Sequence, residues 1–127
     1  MNRTVYVNGD YLSETEAKVS IFDRGFLMAD AVYEVTSVLG GKLIDFDGHI
    51  VRLQRSLDEL EINNPYTREE WLNIHRELVR KNDLVDGGIY LQISRGAPND
   101  RDFVWPDPET TIPTVVLFTQ SKPGLAN

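Results

Sequence analysis

The fold is decided by residues 23–35, which read Asp-Arg-Gly-Phe-Leu-Met-Ala-Asp-Ala-Val-Tyr-Glu-Val. The first half has neither a helical nor a strand period, and Gly25 allows a turn that other residues resist. The second half is rich in the β-branched and aromatic residues that favour strands. We therefore predict a positioned loop that feeds a strand and projects the Tyr33 phenol into a cleft. From the residues alone, an alternative stays open in which Asp23 and Arg24 form a structural pair and Tyr33 is a core aromatic.

Size and composition restrict the possible functions. The 127 residues are 41% hydrophobic, which is enough for one core and one domain. A net charge of −7 argues against binding to nucleic acid or to anionic membranes. The absence of cysteine excludes disulfides, thiolate nucleophiles and cysteine-bound zinc, and two separated histidines are too few for another metal site. No long apolar run follows Met1, so we expect a cytoplasmic protein without a secretory signal or membrane span.

Strand signals occur in two pairs and at the end of the chain. Asn8-Gly9 lies between short β-like runs, and Gly40-Gly41 separates residues 31–39 from residues 42–44, so both patterns predict hairpins. Two further strands are predicted at residues 89–94 and 114–118. The sequence therefore contains enough strands for one antiparallel sheet.

Two helices are predicted between these strands. Asp47 is the expected cap of the first, whose apolar stripe is formed by Ile50, Leu53, Leu57 and Leu60, with His49, Arg52 and Ser56 together on an adjacent face. Thr67 and Glu70 have the spacing of a capping box and open the second helix, which should end near Asn82. Trp71, Ile74 and Leu78 give the second helix its apolar face, and His75 is expected to be solvated. Both helices present one apolar side, so we expect them to pack on the sheet.

The segment from Arg95 to Pro113 contains four prolines and reads as a long, stiffened loop. Loops of this length in compact domains are commonly functional or disordered. The loop carries two arginines, Arg95 and Arg101. From composition alone, the alternative is an ordinary solvated loop.

The chain carries three spaced motifs. They are Asp23-Arg24-Gly25 with Asp30-Ala31-Val32-Tyr33-Glu34, then His49-Ile50-Val51-Arg52-Leu53 with Ser56, then Arg95-Gly96 with Arg101 and Trp105-Pro106. Together they resemble the signature of the fold-type IV pyridoxal-phosphate enzymes, and most closely the D-amino acid aminotransferases. The sequence departs from the family pattern at Ala29-Asp30-Ala31, where Gly-Asp-Gly is usual, and at Phe103, where a histidine is frequent.

The resemblance implies roles for four residues. It assigns Arg52 to the cofactor phosphate and His49 to supporting hydrogen bonds, because the family's helix has the same His-x-x-Arg-Leu pattern. It assigns Tyr33 and Arg101 to the substrate carboxylate, the arginine acting across a subunit interface. Glu34 should face away from Tyr33 on the strand. No catalytic residue is expected in this chain.

The resemblance also implies an architecture and an activity. Residues 1–120 would form the N-terminal α+β domain, an antiparallel sheet with two helices, and residues 121–127 would start an interdomain linker. The family's covalent lysine lies in a C-terminal domain, and none of the four lysines here, Lys18, Lys42, Lys81 and Lys122, has a matching context. We therefore expect that this chain lacks that domain, is inactive alone and does not bind pyridoxal phosphate covalently.

For the full-length parent, the resemblance implies a homodimer that transfers an amino group between an amino acid and a 2-oxo acid. A branched-chain aminotransferase, an aminodeoxychorismate lyase and a non-catalytic dimerisation or binding module remain alternatives. The first two share the Asp-Arg-Gly and His-x-x-Arg-Leu motifs. The third would keep the fold without the chemistry.

Overall fold

A computed structural model describes residues 2–98, 100, 101, 104 and 106–123. The elements are β1 (Thr4–Val7), β2 (Asp10–Ser13), α1 (Arg24–Met28), β3 (Ala31–Leu39), β4 (Lys42–Leu43), α2 (Phe46–Leu60), α3 (Arg68–Lys81), β5 (Gly87–Ser94) and β6 (Thr114–Ser121). The strands form one antiparallel sheet in the order β2-β1-β6-β5-β3-β4. The predicted α+β class is therefore confirmed, and β6 extends one residue into the segment expected to be linker.

Both predicted hairpins are confirmed. Asn8 and Gly9 have φ angles of 49° and 100°, the left-handed region that a tight two-residue turn requires. Gly40 and Gly41 also take left-handed φ angles, of 58° and 75°, in the turn between β3 and β4. Local turn chemistry thus fixes two of the five connections around the sheet.

The helix α2 carries the predicted apolar stripe. Leu53 and Leu57 are fully buried, while Ile50 and Leu60 pack partly against the same core. The prediction that Asp47 caps this helix is wrong: α2 begins at Phe46, and its N-cap is Asp45, which is left-handed and makes no side-chain cap hydrogen bond. Asp47 lies in the first turn, where its carboxylate is 2.7 Å from the Arg68 guanidinium.

The helix α3 begins and ends as predicted. The Thr67 side chain accepts from the Glu70 backbone and the Glu70 carboxylate accepts from the Thr67 backbone, so the capping box is formed. The solvated position predicted for His75 is wrong, because only 3% of this residue is exposed. Its Nδ1 lies 2.7 Å from the Trp71 carbonyl, and its ring meets Phe46 edge-on, so the helix turns this polar residue into the core.

The core lies between the two long helices and one face of the sheet. Alternate residues of β3 point to this face, which buries Val32, Glu34 and Val38 and leaves Tyr33 and Val35 exposed on the other. The opposite face carries a row of stacked rings in which Tyr90 lies between Tyr33 and Phe118. Glu34 thus faces away from Tyr33, as the strand period predicts.

Residues 23–29 correct a sequence expectation. They are not an irregular loop, because α1 forms a short helix in which the Asp23 side chain accepts from the Gly25 amide and Ala29 ends the helix at φ 55°. A Cβ at Gly25 would come within 2.9 Å of Gln92 and Ser94. The Asp23–Arg24 pair is not formed, since Arg24 instead contacts Asp30 at 2.7 Å.

Within the residues described, no helix has the length and apolar character needed to cross a membrane.

Candidate functional site

The predicted site residues Tyr33 and Arg52 share one concavity. It has a volume of about 380 Å³ and is lined by Tyr33, Glu34, Val35 and Arg52. The concavity forms at the edge of β3, since β4 pairs only with Val38 and Leu39 and leaves the earlier edge without a neighbouring strand among the described residues. A side chain from the open face and one from the helix face can therefore meet around this edge.

Glu34 holds the Arg52 guanidinium from inside the core. Arg52 Nε donates to Glu34 Oε2 at 2.9 Å, and Arg52 Nη2 donates to Glu34 Oε1 at 2.8 Å. His49 Nδ1 lies 2.7 Å from the same Oε1 atom. The spacing of three residues on α2 puts His49 and Arg52 side by side, so both reach one carboxylate.

Charge and burial fix the ionisation of this group. Burial alone would raise the pKa of Glu34, but the hydrogen bonds from Arg52 and His49 outweigh it and hold the pKa below its usual value. The same bond to Glu34 raises the pKa of Arg52. Glu34 is therefore a carboxylate, and the fork-like contact is charge-assisted.

The Arg52 side chain keeps donors for a ligand. Its side chain is 58% exposed, against 8% for Glu34. In the described part of the chain, nothing accepts a hydrogen bond from Nη1. One edge of the guanidinium is thus fixed by Glu34, and a nitrogen remains that can donate to an anion.

Tyr33 presents an open phenol next to this guanidinium. It is 65% exposed and stacks on Tyr90, with ring centroids 5.8 Å apart and planes 16° apart. The prediction that the phenol projects into a cleft is consistent with this position, and the alternative of a core aromatic is not. The stack holds the ring while leaving its hydroxyl available.

An ion cluster of one partly buried carboxylate and two buried arginines lies at the start of β3. Asp30 accepts from Arg24 Nε and from Arg95 Nε, both at 2.7 Å, and Arg95 also donates to the Leu60 and Glu61 carbonyls at the end of α2. Burial opposes ionisation of Asp30, but the two arginines lower its pKa. Sequence reasoning gave Asp30 no role, and the Asp-Arg-Gly and Arg-Gly motifs were the signal that could have linked these residues.

The third predicted site residue lies elsewhere. Arg101 is exposed and is not among the described residues that line the concavity. Phe103 and Trp105, which carried part of the loop motif, lie outside the described residues. The structure thus brings Tyr33 and Arg52 together and does not bring Arg101 to them within one copy of the chain.

Glu34 is the functional candidate that sequence reasoning missed. The sequence showed that it faces away from Tyr33, but not that the helix residues His49 and Arg52 come to meet it. Its only sequence signal was a carboxylate on the inward face of a strand, which needs a partner to be buried. Among the residues described, no cluster of three or more histidine or carboxylate side chains could hold a metal ion.

Comparison with known families agrees with this geometry. The profile of amino-transferase class IV matches residues 31–126, which is most of the chain. The chain belongs to the class IV aminotransferases. The match includes the strand that carries Tyr33 and the helix that carries Arg52.

Individual class IV aminotransferases resemble the chain over most of its length. A D-alanine aminotransferase of Staphylococcus haemolyticus is 39% identical over 118 residues, covering 92% of this chain and 41% of the relative. One from Listeria monocytogenes is 38% identical over 103 residues, covering 81% of this chain and 36% of the relative. The chain therefore spans about two-fifths of the length of the relatives it matches.

Solved structures of class IV aminotransferases share the fold. A branched-chain aminotransferase of Escherichia coli superposes with a TM-score of 0.85 at 18% identity, over 96% of this chain and 42% of that one. A branched-chain aminotransferase of Thermoproteus uzoniensis superposes with a TM-score of 0.80 at 23% identity, over 95% of this chain and 41% of that one. At such identities the likeness supports the architecture alone.

Class IV membership implies pyridoxal phosphate in the full-length protein. The residues at the concavity fit its phosphate, because Arg52 offers a fixed guanidinium with Nη1 unengaged by described residues. None of the four lysines is among the described residues that line the concavity. The observed groups therefore suit the phosphate end of the cofactor and supply no covalent anchor for it.

Proposed function

We propose that this chain is the N-terminal domain of a pyridoxal-phosphate-dependent transaminase that acts on D-amino acids. The observation that carries the proposal is the Arg52 guanidinium, held by buried Glu34 beside the open Tyr33 phenol at one strand edge. The relatives at 38–39% identity are D-alanine aminotransferases, which favours this group over the branched-chain enzymes. The cytoplasmic location and the homodimer remain part of the proposal.

Arg52 binds the cofactor phosphate in this proposal. Glu34 neutralises the formal charge of the guanidinium, so directed hydrogen bonds rather than net charge provide the attraction. Further phosphate donors come from the rest of the full-length protein. Glu34 and His49 fix the side chain beforehand, which lowers the entropy lost when the phosphate binds.

Tyr33 and Arg101 orient the substrate carboxylate. The phenol is anchored by its stack on Tyr90, so its hydroxyl donates from a fixed position. Arg101 reaches this carboxylate from the second subunit, which agrees with its absence from the described lining of the concavity. When bound, pyridoxal phosphate withdraws electrons from the substrate Cα and carries the amino group between the two substrates.

The lysine that binds the cofactor and moves the proton lies outside residues 1–127 in this proposal. Lys18, Lys42, Lys81 and Lys122 are not among the described lining residues. The 127-residue chain mixed with pyridoxal phosphate should consequently show no absorbance of a lysine-bound cofactor. Such an absorbance, lost on mutation of one of these lysines, would contradict this assignment.

The proposed activity is tested with the full-length protein. We expect transfer of the amino group from D-alanine to a 2-oxo acid, with kcat/KM at least about tenfold higher than for a branched-chain L-amino acid, a difference of about 1.4 kcal/mol in transition-state binding. Tyr33→Phe should raise KM for the amino acid while the cofactor stays bound. A preference for the branched-chain substrate, or no transfer by a protein loaded with cofactor, would overturn the proposal.

A further inference from the structure

A second hollow lies between α3 and the turn that joins β3 to β4. It has a volume of about 570 Å³, within the range of small-molecule sites. Its lining includes four basic side chains and no acidic one among the residues described: Lys42, Arg68, Arg76 and Arg80. A protein with seven excess negative charges thus gathers four of its thirteen basic residues around one hollow.

Two of these cations are available for a ligand. Arg68 contacts Asp47 and Glu69, and Arg80 contacts Glu77. Arg76 and Lys42 make no ion pair and no side-chain hydrogen bond with any described residue. In an acidic protein with many surface carboxylates, two neighbouring cations that no described residue pairs with leave a local positive field that attracts anions.

The rest of the lining is apolar. The hollow is completed by Gly41, Leu43, Phe46, Leu72 and Val79, and the last four are partly or fully buried. The Arg68 guanidinium lies 5.8 Å from the centre of the Phe46 ring, which holds this cation over the apolar surface. A ligand that fits must therefore combine an anionic group with an apolar body.

We propose that this hollow binds a small organic phosphate whose apolar body lies against Phe46 and Leu72. Arg76 and Lys42 contact the phosphate oxygens, since a guanidinium and an ammonium supply charge-assisted donors. This site shares no lining residue with the concavity of Tyr33 and Arg52. It is therefore separate from the proposed cofactor site and does not depend on that assignment.

Nuclear magnetic resonance of the ¹⁵N-labelled 127-residue chain, titrated with phenyl phosphate, tests the proposal. Saturable shifts should appear at the amides of Lys42, Arg76 and Arg80. Phenol lacks the charge and inorganic phosphate lacks the apolar body, so each should bind at least about fivefold more weakly. Raised salt should weaken the binding of phenyl phosphate, because salt screens the interaction between exposed charges.

A double variant, Lys42→Gln with Arg76→Gln, removes the two available cations without breaking an ion pair. Its Kd for phenyl phosphate should rise about tenfold. The matched control is Arg55→Gln with Lys122→Gln, which removes the same charges outside the hollow and should change the Kd less than about twofold.

Three results would overturn the proposal. The first is the absence of saturable shifts at millimolar phenyl phosphate, a concentration on the order of the Kd of a weak site. The second is an equal rise of the Kd in the two double variants. The third is a set of shifts confined to Tyr33 and Arg52. The last result would mean that the probe binds only at the concavity. It would leave the proposed function intact, so the two proposals fail separately.

Discussion

At the scale of single residues, Glu34 on the strand β3 fixes the guanidinium of Arg52 on the helix α2. A buried carboxylate is costly unless it is paired, and here Arg52 and His49 both pair with it. The Arg52 side chain remains 58% exposed in this pairing. Glu34 is thus a positioning residue for Arg52 in the proposed site.

Glu34→Gln tests this positioning role. The amide keeps the volume but removes the charge that fixes the guanidinium, so the full-length protein should lose pyridoxal phosphate about tenfold faster during dialysis. Glu59→Gln, at an exposed glutamate on α2, is the control and should keep the wild-type rate. Equal rates for the two variants would show that Glu34 does not act through Arg52.

His75 makes a second prediction at this scale. Its burial lowers its pKa to about 4, so the unfolded chain binds a proton near pH 6.5 and the folded chain does not. The contribution of the neutral His75 ring to the free energy of unfolding is fully present above pH 6.5 and is lost as the pH falls toward 4. Protonation linked to His75 should lower the free energy of unfolding by about 2 kcal/mol when the pH is lowered from 7 to 5.

Urea unfolding at both pH values measures this loss, with His75→Leu as the comparison. The variant should lose less stability between pH 7 and pH 5 than the wild type. His49 is the only other histidine and is present in both proteins, so it cancels in the difference. An identical pH dependence in the two proteins would contradict the buried, neutral assignment of His75.

At the scale of elements, the sequence predicts best where the deciding interaction is local. The Asn8-Gly9 turn and the Thr67–Glu70 capping box depend on residues within four positions of each other, and both are found as predicted. The start of α2 is different, because its N-cap Asp45 takes a left-handed φ of 53° and makes no side-chain cap hydrogen bond that a sequence motif would signal. The short helix α1 likewise depends on contacts with β5 that the sequence does not show.

Thr67→Ala tests the value of the capping box. It removes the side-chain acceptor of the Glu70 amide and should lower the unfolding free energy by about 1 kcal/mol, as measured by denaturant titration. Thr15→Ala, in an exposed turn, should change it by less than about 0.5 kcal/mol. A loss in Thr15→Ala as large as in Thr67→Ala would mean that the cap does not stabilise α3.

At the scale of the whole molecule, one carboxylate, whose side chain is 11% exposed, joins segments far apart in sequence. Asp30 binds Arg24 and Arg95, and Arg95 also binds the carbonyls that end α2. Each residue belongs to a motif visible in the sequence, yet their meeting could not be predicted without the sheet order that places β3 beside β5. The cluster fixes the strand that carries Tyr33 and the helix that carries Arg52.

Asp30→Asn should destabilise the whole domain. The neutral amide removes the charge that pairs with the buried guanidinium groups of Arg24 and Arg95, which costs about 3 kcal/mol. Denaturant unfolding followed by tryptophan fluorescence measures the change, since Trp71 is buried in the core. Asp58→Asn removes an exposed charge on α2 and is the control; equal stability of both variants would contradict a structural role for the cluster.

The concavity brings the edge of β3 and the helix α2 together, and both Tyr33 and Arg52 line it. The motifs predicted that Tyr33 and Arg52 share a site, and the physical reason is the edge of β3 that no other described strand pairs with. The position of Arg101 relative to them could not be predicted from one chain. Its place depends on a second subunit in the proposed function.

The most direct test compares two arginines on one helix. Arg52→Ala and Arg55→Ala remove the same group three residues apart, and both side chains are exposed. Retention of pyridoxal phosphate by the full-length protein is measured by absorbance after gel filtration. Arg52→Ala should weaken cofactor affinity at least about tenfold while Arg55→Ala retains it, and equal retention by both variants would contradict the phosphate role of Arg52.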